Sequence, residues 1–519
     1  MLLKSLFALL FLTADLPFVL EHSPTPEKYL VETMGGGVAA FDYNNDGRPD
    51  LFFANGAPVP SMQKSGPKYW NRLLRNEGGG KFTDVTEAAG LSGTGFSIGA
   101  AAADFDNDGY PDLFVAGVQA NRLYRNLGNG KFEDVTGKSG IRSDQWSVAA
   151  GWFDFDNDGL VDLFVVNYVE WSPESNPACF DPGHKVRVYC HPRNFAALAN
   201  TLYRNLGNGR FEDVSAMSGI SKFKGKGMSL AIADYDLDGF PDVFVTNDTL
   251  PNFLFHNRGD GTFEEVALTA GVALTDDGHP ISAMGADFRD FDNDGLPDIV
   301  FTGLTGETFP LFRNLGKGKF RDATYVSKMG PLSTRLAGWS VLMADFDNDG
   351  WKDIFTANSH VTDNIEAFSG DRYKLRNTLF WNTGKSTFRA GPQIGDERAH
   401  RGAAVADFNG DGKPDIAVTA LGTPALLWLN DTGTANHWID IKLIGTKSNR
   451  DGIGARIRLG SQTNTQTSAY GYASSSLGPV HFGLGTATSV PALEVQWPSG
   501  RAQTIHNPQL DRVLTVTEP

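Results

Sequence analysis

The sequence lacks several features that would define a class of protein. It contains no run of the roughly 18 apolar residues that a membrane-spanning helix needs, so we expect a soluble mature protein without a transmembrane segment. Its formal net charge is −16, which makes nucleic acid a poor candidate partner. It also has no H-E-x-x-H motif and no phosphate-binding loop. These absences argue against a membrane-spanning or nucleic-acid-binding protein and leave few catalytic motifs to consider.

Cysteine is scarce, since only Cys179 and Cys190 occur in 519 residues. Both lie in an irregular insertion of about 170–200, in which the repeat described below is interrupted. With His184 and His191 they could form a zinc set, but the adjacent Cys190–His191 pair fits zinc poorly. Free thiols are a further alternative. If the protein is exported, we expect a disulfide between the two cysteines.

The N-terminus favours export. Lys4 precedes the apolar run LFALLFLTA, and residues 1–14 resemble a short secretory signal with cleavage after Ala14. A buried first strand is the competing interpretation of the same run. We expect a secreted, periplasmic or extracellular protein.

A nine-residue acidic motif, such as DFDNDGYPD, occurs seven times at intervals of about 60 residues, the signature of a repeat array. The copies are called loops 1 to 7 and span residues 42–50, 104–112, 154–162, 234–242, 290–298, 345–353 and 407–415. Before each copy comes a small-residue apolar run, and after each comes a β-branched or aromatic run. Short runs of this kind between Gly, Asn and Asp indicate strands joined by tight turns.

Four strands for each of seven repeats predict an all-β protein, a seven-bladed β-propeller followed by a small C-terminal β-domain. We expect the small-residue strand to lie innermost, where blades crowd together. A long solenoid is the alternative, but repeats of this size favour closure. We place the propeller at residues 15–435 and the C-terminal domain at 437–518, where the acidic motif no longer occurs.

The motif is not an EF-hand, because position 12 never carries the bidentate Glu and the flanks are strands. Carboxylates at positions 1, 3, 5 and 9 around a Gly at position 6 still predict a hard cation, best Ca²⁺, with position 7 giving a backbone carbonyl. Asx-turns that only cap hairpins are the alternative. The predicted ligands of the seven Ca²⁺ sites are Asp42, Asn44, Asp46, Arg48 and Asp50; Asp104, Asp106, Asp108, Tyr110 and Asp112; Asp154, Asp156, Asp158, Leu160 and Asp162; Asp234, Asp236, Asp238, Phe240 and Asp242; Asp290, Asp292, Asp294, Leu296 and Asp298; Asp345, Asp347, Asp349, Trp351 and Asp353; and Asp407, Asn409, Asp411, Lys413 and Asp415.

The loops resemble the FG-GAP/VCBS repeats of the integrin α-subunit head and of bacterial exported propellers. The tail, with NHWIDIKLIG, LGPVHFGLG and LEVQWPSGRAQTIHN, resembles the ASPIC/UnbV domain. Together they resemble the cartilage acidic protein family and its bacterial relatives. The resemblance implies calcium in β-hairpin loops and an extracellular setting, and implies little about activity.

Two departures from a regular repeat stand out. Asn44 and Asn409 replace Asp at position 3 of loops 1 and 7, so we expect weaker metal binding there. The outer-strand signature, as in KFEDV, is missing from the seventh repeat. We therefore expect the fourth strand of that repeat to come from elsewhere, and the N-terminal DLPFVLEHS is the candidate.

A possible ligand face lies opposite the calcium loops. Aromatic and amide side chains at strand ends there would form a ring suited to a sugar or an extended peptide. Alternatively, the aromatic residues cap the core and the asparagines form turns. The ring would comprise Phe96, Trp146, Asn167, Asn247, Trp339, Asn358, His400 and Arg401.

The leading functional hypothesis is an exported calcium-binding propeller that acts as a binding or adhesion module for a polysaccharide or protein ligand. A calcium-dependent polysaccharide lyase is the alternative. A lyase needs a basic side chain beside a substrate-facing cation, and the candidate cluster is His400 with Arg401.

Overall fold

The structure, a computed structural model, describes residues 11–519 and is built almost entirely from β-strands. The predicted all-β class is confirmed. Four one-turn α-helices accompany the strands, at Thr86–Ala89, Thr136–Ser139, Ala267–Ala270 and Met329–Ser333. Within the described residues, no helix is both long and apolar enough to cross a membrane.

Seven antiparallel sheets, called repeat sheets 1 to 7, each contain one acidic loop between their first and second strands. From the innermost strand outward, sheets 1 to 3 consist of Val38–Phe41, Asp50–Phe53, Arg72–Gly78 and Lys81–Asp84; Ser97–Ala103, Asp112–Gly117, Arg122–Asn126 and Phe132–Asp134; and Ser147–Phe153, Asp162–Asn167, Thr201–Asn205 and Phe211–Asp213. Sheets 4 to 6 consist of Gly227–Ala233, Asp242–Asn247, Phe253–Asn257 and Phe263–Glu265; Ala286–Arg289, Asp298–Phe301, Leu311–Asn314 and Phe320–Asp322; and Gly338–Ala344, Asp353–Asn358, Leu375–Asn382 and Phe388–Arg398. Sheet 7 consists of His400–Ala406, Asp415–Ala420, Pro424–Asn430 and Phe11–Val19.

The innermost strands are rich in small residues because they are enclosed on all sides. In Ser97–Ala103 (SIGAAAA) every residue is buried. Each innermost strand contacts those of the preceding and following sheets, and the innermost strand of sheet 7 contacts that of sheet 1. Leu16, Phe18, Phe53 and Leu427 belong to the apolar core between sheets 7 and 1. The same kind of core separates every neighbouring pair of sheets.

Side-chain hydrogen bonds also join neighbouring sheets at the acidic loops. An asparagine at or near the end of each third strand donates its Nδ2 to the position 2 carbonyl of the preceding loop. The seven bonds run from Asn126 to Tyr43 (2.8 Å), Asn205 to Phe105 (2.8 Å), Asn257 to Phe155 (2.8 Å), Asn314 to Tyr235 (2.8 Å), Asn382 to Phe291 (2.9 Å), Asn430 to Phe346 (2.7 Å) and Asn76 to Phe408 (2.9 Å). The last bond links sheet 1 to sheet 7.

The N-terminal segment supplies the outermost strand of sheet 7. Phe11–Val19 pairs antiparallel with Pro424–Asn430, from Phe11 opposite Asn430 to Val19 opposite Pro424. The strand overlaps the predicted segment DLPFVLEHS (residues 15–23) at residues 15–19 and begins four residues before it. The predicted signal falls partly outside the described residues (1–10), while residues 11–14 belong to this strand. Cleavage after Ala14 stays a prediction, and it would remove four of the paired residues.

The C-terminal residues form two further sheets around a core of their own, which includes Ile439, Ile457, Phe482 and Trp497. One sheet contains Val480–Gly485, His437–Ile444 and Val513–Thr517, and the other contains Gln462–Thr465, Arg456–Leu459, Ala492–Gln496 and Ala502–His506. These sheets lie against the acidic loops. Arg450 N donates to Asn107 Oδ1 of loop 2 (2.8 Å), and His481 Nε2 lies 2.7 Å from Asn348 Oδ1 of loop 6.

A segment of this C-terminal region, residues 469–477, lies among the innermost strands of all seven repeat sheets and is called the central segment. Its strand Ser475–Leu477 pairs in parallel with Val38–Phe41 of sheet 1, and Ala469 packs in the core between sheets 3 and 4. Its contacts with the other sheets are Ala473 O with Ala100 N (3.0 Å), Gly471 O with Ser229 Oγ, Gly471 N with Ala286 O (2.7 Å), Tyr472 N with Ser340 Oγ (3.1 Å) and Ser476 Oγ with Val405 N (3.0 Å). The centre of the molecule is therefore filled by its own chain.

The ends of the sheets opposite the loops are covered by two further segments, together called the cap. One contains the short 3₁₀ helix Leu30–Thr33, and the other is the insertion between the second and third strands of sheet 3. The Tyr472 hydroxyl of the central segment donates to Met34 O (2.7 Å). Tyr472, Trp146, Trp171 and Met34 share one apolar cluster with the aromatic ends of the inner strands.

Removal of residues 1–19 should destabilise sheet 7, because it leaves Pro424–Asn430 as an exposed edge and removes Phe11, Leu16 and Phe18 from two cores. Burial of each such side chain contributes about 1.5–3 kcal/mol. We expect a lower melting temperature and concentration-dependent aggregation, measured by calorimetry and light scattering. Removal of residues 1–10 alone is the matched control and should leave the melting temperature close to that of the full chain. Equal melting temperatures for the two truncations would contradict this role of the strand.

Candidate metal centres

Each acidic loop turns sharply at two residues with positive φ. In loop 2, Asn107 at position 4 has φ 58° and Gly109 at position 6 has φ 93°. Glycine adopts this conformation without a steric penalty, and asparagine tolerates it better than most residues. Positive φ recurs at positions 4 and 6 of all seven loops. The turn brings the side chains of positions 1, 3 and 5 towards one centre.

The carboxylate at position 1 holds this turn closed. In loop 2, Asp104 Oδ1 accepts the N–H of Asp108 (3.0 Å) and Oδ2 accepts that of Gly109 (2.7 Å). The bond from the position 6 N–H to the position 1 Oδ2 occurs in every loop, at 2.7–2.9 Å. Burial, followed by the nearby Asp451 charge, raises the pKa of Asp104 to about 8.

The aspartate at position 9 is buried and joins three parts of each sheet. Asp112 Oδ2 accepts the N–H of Phe105 at position 2 (3.0 Å), and Oδ1 accepts the N–H of Asn126 at the end of the third strand (2.7 Å). The same two bonds occur in all seven sheets. Burial raises the pKa of Asp112 well above its ordinary range and that of Asp50 to about 8.

The carboxylate at position 3 has an oxygen with no protein donor. Within residues 11–519, Oδ1 is buried and without a hydrogen-bond partner in five loops, at Asp106, Asp156, Asp236, Asp292 and Asp347. Loops 1 and 7 differ, because Asn44 and Asn409 there turn an amide towards position 5, with Nδ2 3.2 Å from Asp46 Oδ2 and 3.3 Å from Asp411 Oδ2. A buried carboxylate oxygen can only accept, so it requires a donor or a cation.

Basic side chains of the third strands offset part of this negative charge. The guanidinium groups of Arg125, Arg204 and Arg313 lie 2.5, 2.7 and 2.6 Å from Asp106, Asp156 and Asp292. In sheet 4 an imidazole takes this place, with His256 Nδ1 3.7 Å from Asp236 Oδ2 and 3.1 Å from Asp242 Oδ1. The arginines are more than 40% exposed, so each ion pair contributes little to stability.

The arrangement suits a hard cation in most loops. Carboxylate oxygens of positions 1, 3 and 5 lie within 4.8 Å of one another in loops 2, 4 and 5, and those of positions 1, 3 and 9 do so in loop 3. Oxygen ligands from a flexible loop are those that Ca²⁺ prefers. Positions 1, 3, 5 and 9 would hold the ion with the position 7 carbonyl. Loops 1 and 7 fit less well, because each has an amide in place of the position 3 carboxylate.

The predicted ligand ring is not exposed. Phe96, Trp146, Asn167, Asn247, Trp339, Asn358, His400 and Arg401 are all buried, with at most 1% of each residue exposed. The expectation of an open aromatic and amide funnel at these positions is therefore wrong. The reason is that residues of the N-terminal segment and of the insertion, including Leu30, Met34 and Trp171, cover the strand ends on which these side chains lie.

The buried ring performs structural roles instead. Asn167 Nδ2 donates to Gln145 Oε1 (2.6 Å) and to Ala199 O (2.8 Å), which ties strand ends within sheet 3. Arg401 stacks over Trp339 at 3.9 Å and donates through Nε to Thr33 O (2.9 Å). Burial lowers the pKa of His400 to about 4, so its imidazole is neutral near pH 7. The alternative interpretation from the sequence, in which the aromatic residues cap the core, fits these positions.

The insertion contains the disulfide Cys179–Cys190. Cys179–Phe180 and Arg187–Val188 form a two-stranded ribbon between the two cysteines. Cys190 is buried in the apolar cluster with Trp146 and Trp171. The bond therefore fixes the insertion where it covers the strand ends of sheet 3.

Sequence reasoning missed two sets of asparagines. The third-strand asparagines recur in segments such as RLYRNLGNG, where the Arg-Asn pair was a visible signal without an assigned role. The asparagines at position 4 of the loops also recur in the sequence, and no role was assigned to them. Both sets of asparagines donate hydrogen bonds to a neighbouring sheet, as Asn126 does to Tyr43 O and Asn107 does to Gly159 O. The sequence of a single repeat therefore gives no indication of the bonding partner.

These repeats match a known family. The FG-GAP-like repeat is found at residues 42–115, 104–165, 194–245, 234–301, 290–356 and 364–418, and ASPIC and UnbV at 445–519. The chain belongs to the FG-GAP-like repeat family and has a C-terminal ASPIC/UnbV domain. It is homologous to cartilage acidic protein 1. The human protein (Homo sapiens) is 30% identical over 322 residues, covering 59% of this chain and 46% of that protein. The mouse protein (Mus musculus) is 28% identical over 322 residues, covering 59% of this chain and 47% of the relative.

The chain thus spans about half the length of the curated relatives it matches. Solved structures resemble it more distantly. One is an Agrocybe aegerita lectin described as recognising non-reducing terminal N-acetylglucosamine, with 16% identity, a TM-score of 0.39 and coverage of 81% of this chain and 94% of that chain. Another is YCF48 bound to D1 peptide, with 8% identity, a TM-score of 0.43 and coverage of 82% and 97%. Likeness at this level carries no argument about function.

Replacement of a position 9 aspartate should destabilise the fold even without metal. Asp112→Ala leaves two buried N–H groups without acceptors, each costing about 1–3 kcal/mol. We expect a loss of about 2–5 kcal/mol in urea unfolding with chelator present. Asp108→Ala at exposed position 5 is the matched control and should change little under the same conditions. If Asp112→Ala lost stability only when calcium is present, position 9 would act solely as a metal ligand.

Proposed function

We propose that this protein is an exported, calcium-stabilised interaction module in which the seven repeat sheets form a closed seven-bladed β-propeller carrying a C-terminal β-domain. The observation that carries the calcium assignment is the set of five position 3 carboxylates with a buried, unpartnered oxygen. The division into residues 15–435 and 437–518, and one Ca²⁺ in each of the seven loops, are parts of the same proposal.

Calcium would complete the hydrogen-bond and charge balance of the loops. A divalent cation gives the unpartnered oxygens of Asp106 and Asp292 an electrostatic partner and offsets the repulsion between positions 1, 3 and 5. The arginines beside positions 3 and 5 leave each loop with a net negative charge, which favours the ion. Its role is structural, because the loops join strands that belong to the core of each sheet.

Closure is supported by contacts between the first and last sheets. Asn76 of sheet 1 donates to Phe408 O of loop 7, as every other third-strand asparagine does to the preceding loop. The core that contains Phe18, Phe53 and Leu427 joins the same two sheets. A solenoid would leave both end sheets without such partners, so these contacts favour a ring.

An interaction role is supported by the family to which the chain belongs, and the filled centre indicates where a ligand would bind. FG-GAP-like repeats and the homology to cartilage acidic protein 1 suggest an extracellular interaction module. The disulfide is consistent with an oxidising compartment. Because the central segment and the cap fill both the centre and one face, we expect a polysaccharide or protein ligand to bind at the periphery.

The lyase alternative loses its candidate base. The His400 imidazole is buried, and its Nε2 lies 3.3 Å from the Asp396 carbonyl. Arg401 is equally buried and bonded to backbone carbonyls. Neither side chain can reach a polysaccharide without removal of the cap, so no observation favours this function.

Calcium removal should lower the melting temperature substantially, and calcium should restore it better than magnesium. An ion present at one hundred times its dissociation constant stabilises by about 2.7 kcal/mol per site, so several sites exceed the usual stability of a domain. Calorimetry with bound metal counted by mass spectrometry measures this. Asp106→Asn gives loop 2 the ligands of loop 1 and should weaken one site, whereas Asn44→Asp should strengthen loop 1. Coincident melting curves after verified metal removal would refute the calcium proposal.

A further inference from the structure

Five of the seven acidic loops are hydrogen-bonded directly to the next loop through the side chain of position 4. In each case the asparagine Nδ2 donates to the backbone carbonyl of the position 6 glycine one sheet further along the chain. The bonds run from Asn45 to Gly109 (2.7 Å), Asn107 to Gly159 (3.0 Å), Asn157 to Gly239 (3.0 Å), Asn293 to Gly350 (2.9 Å) and Asn348 to Gly412 (3.0 Å).

The series is interrupted at two places by the residue type at position 4. Loop 4 has Leu237 there and loop 7 has Gly410, and neither side chain can donate a hydrogen bond. Leu237 nevertheless keeps the left-handed backbone, with φ 63°. The loops are therefore divided into two linked groups, loops 1–4 and loops 5–7. The third-strand asparagines cross all seven junctions alike, so they do not distinguish one junction from another.

Each of these bonds joins the metal-binding parts of two loops. Position 4 lies between the ligands at positions 3 and 5, and position 6 lies between those at positions 5 and 7. An ion that fixes positions 3 and 5 of one loop also fixes the donor between them. That donor orders the glycine of the next loop, which then loses less conformational freedom when it binds its own ion.

We propose that the loops bind Ca²⁺ as two coupled groups, loops 1–4 and loops 5–7, with the position 4 asparagines transmitting the coupling. This inference rests on the proposed calcium function. Binding is positively cooperative within each group. Across the junctions at Leu237 and Gly410 the asparagine contribution is absent, so the two groups fill independently of each other.

Loop 6 offers a local reporter for the test, because its position 7 residue is Trp351. Tb³⁺ replaces Ca²⁺ in oxygen sites, and its luminescence is excited through a nearby tryptophan. The titration uses the full chain with Trp438→Phe, since Trp438 lies near loop 7 and would add a second signal. Trp152 lies beside loops 2 and 3, so the signal that is lost on Trp351→Phe is taken as the signal of loop 6. The concentration of Tb³⁺ at half-maximum of this difference signal then reports binding at loop 6.

The key variant is Asn293→Leu, which gives loop 5 the residue that loop 4 has naturally. We expect it to raise the loop 6 midpoint by about 5-fold or more, the lower end of usual coupling between sites. Asp292→Asn, which weakens the ion site of loop 5, should raise the loop 6 midpoint when Asn293 is present and leave it unchanged when Leu is there. Asn157→Leu, at the junction of loops 3 and 4, is the matched control and should leave loop 6 unaffected.

A gain-of-link variant tests the same idea without loss of a bond. Leu237→Asn should connect loop 4 to loop 5. In that background, Asp236→Asn should raise the loop 6 midpoint. In the natural sequence, Asp236→Asn should leave the loop 6 midpoint unchanged. Unfolding in chelator checks that each variant is folded. If Tb³⁺ and Ca²⁺ bind but neither Asn293→Leu nor Leu237→Asn changes the response of loop 6, the coupling is refuted and calcium binding stands. If neither ion binds at any loop, the proposed function itself fails.

Discussion

The hydrogen bond from each third-strand asparagine to the preceding loop is the contact on which the arrangement of sheets depends. Asn126 N donates to the buried Asp112 of its own sheet, and its side chain donates to Tyr43 O of the sheet before. One residue thus fixes the third strand, the second strand and the neighbouring loop together. Because these groups are buried, each unmade bond would leave a polar group without water. Apolar cores alone allow sheets to slide past one another, whereas these bonds fix their relative position.

The same loops also hold buried carboxylates close together, which is electrostatically unfavourable without a counter-charge. Burial raises the pKa of Asp154 and Asp345 to about 7, which shows how unfavourable their ionised forms are without a counter-charge. Arginines supply part of that charge in sheets 2, 3 and 5. The C-terminal sheets lie on the same side and shield several loops from solvent. An ion bound there would act in a less polar environment than in an open surface loop, which strengthens its attraction to the carboxylates.

Much of the local structure was predictable from the sequence, because each repeat contains its own strand, turn and loop signals. The strand order within sheets and the placement of the acidic loops follow from hydrophobic runs around a Gly-containing turn. The N-terminal strand of sheet 7 was suggested by a missing outer-strand signature. The buried ring was misjudged because Trp146 and Trp339 lie at strand ends, and nothing local indicates that Leu30 and Trp171 cover them. The central segment, with AYGYASSSL, has the composition of a surface loop. Its burial depends on hydrogen bonds to six separate sheets and on the packing of Ala469 against the core between sheets 3 and 4.

The position of the central segment has a consequence for how the chain reaches its native state. Residues 469–477 are synthesised after every strand of the repeat sheets, yet they occupy the middle of those sheets, and the first strand of the described chain pairs with the last repeat. Neither the core between sheets 7 and 1 nor the centre can be completed until nearly all of the polypeptide is available. Such long-range pairing is slow. The contacts of the central segment and of the core between sheets 7 and 1 should therefore form after synthesis. An exported chain would cross its membrane before it acquires these contacts.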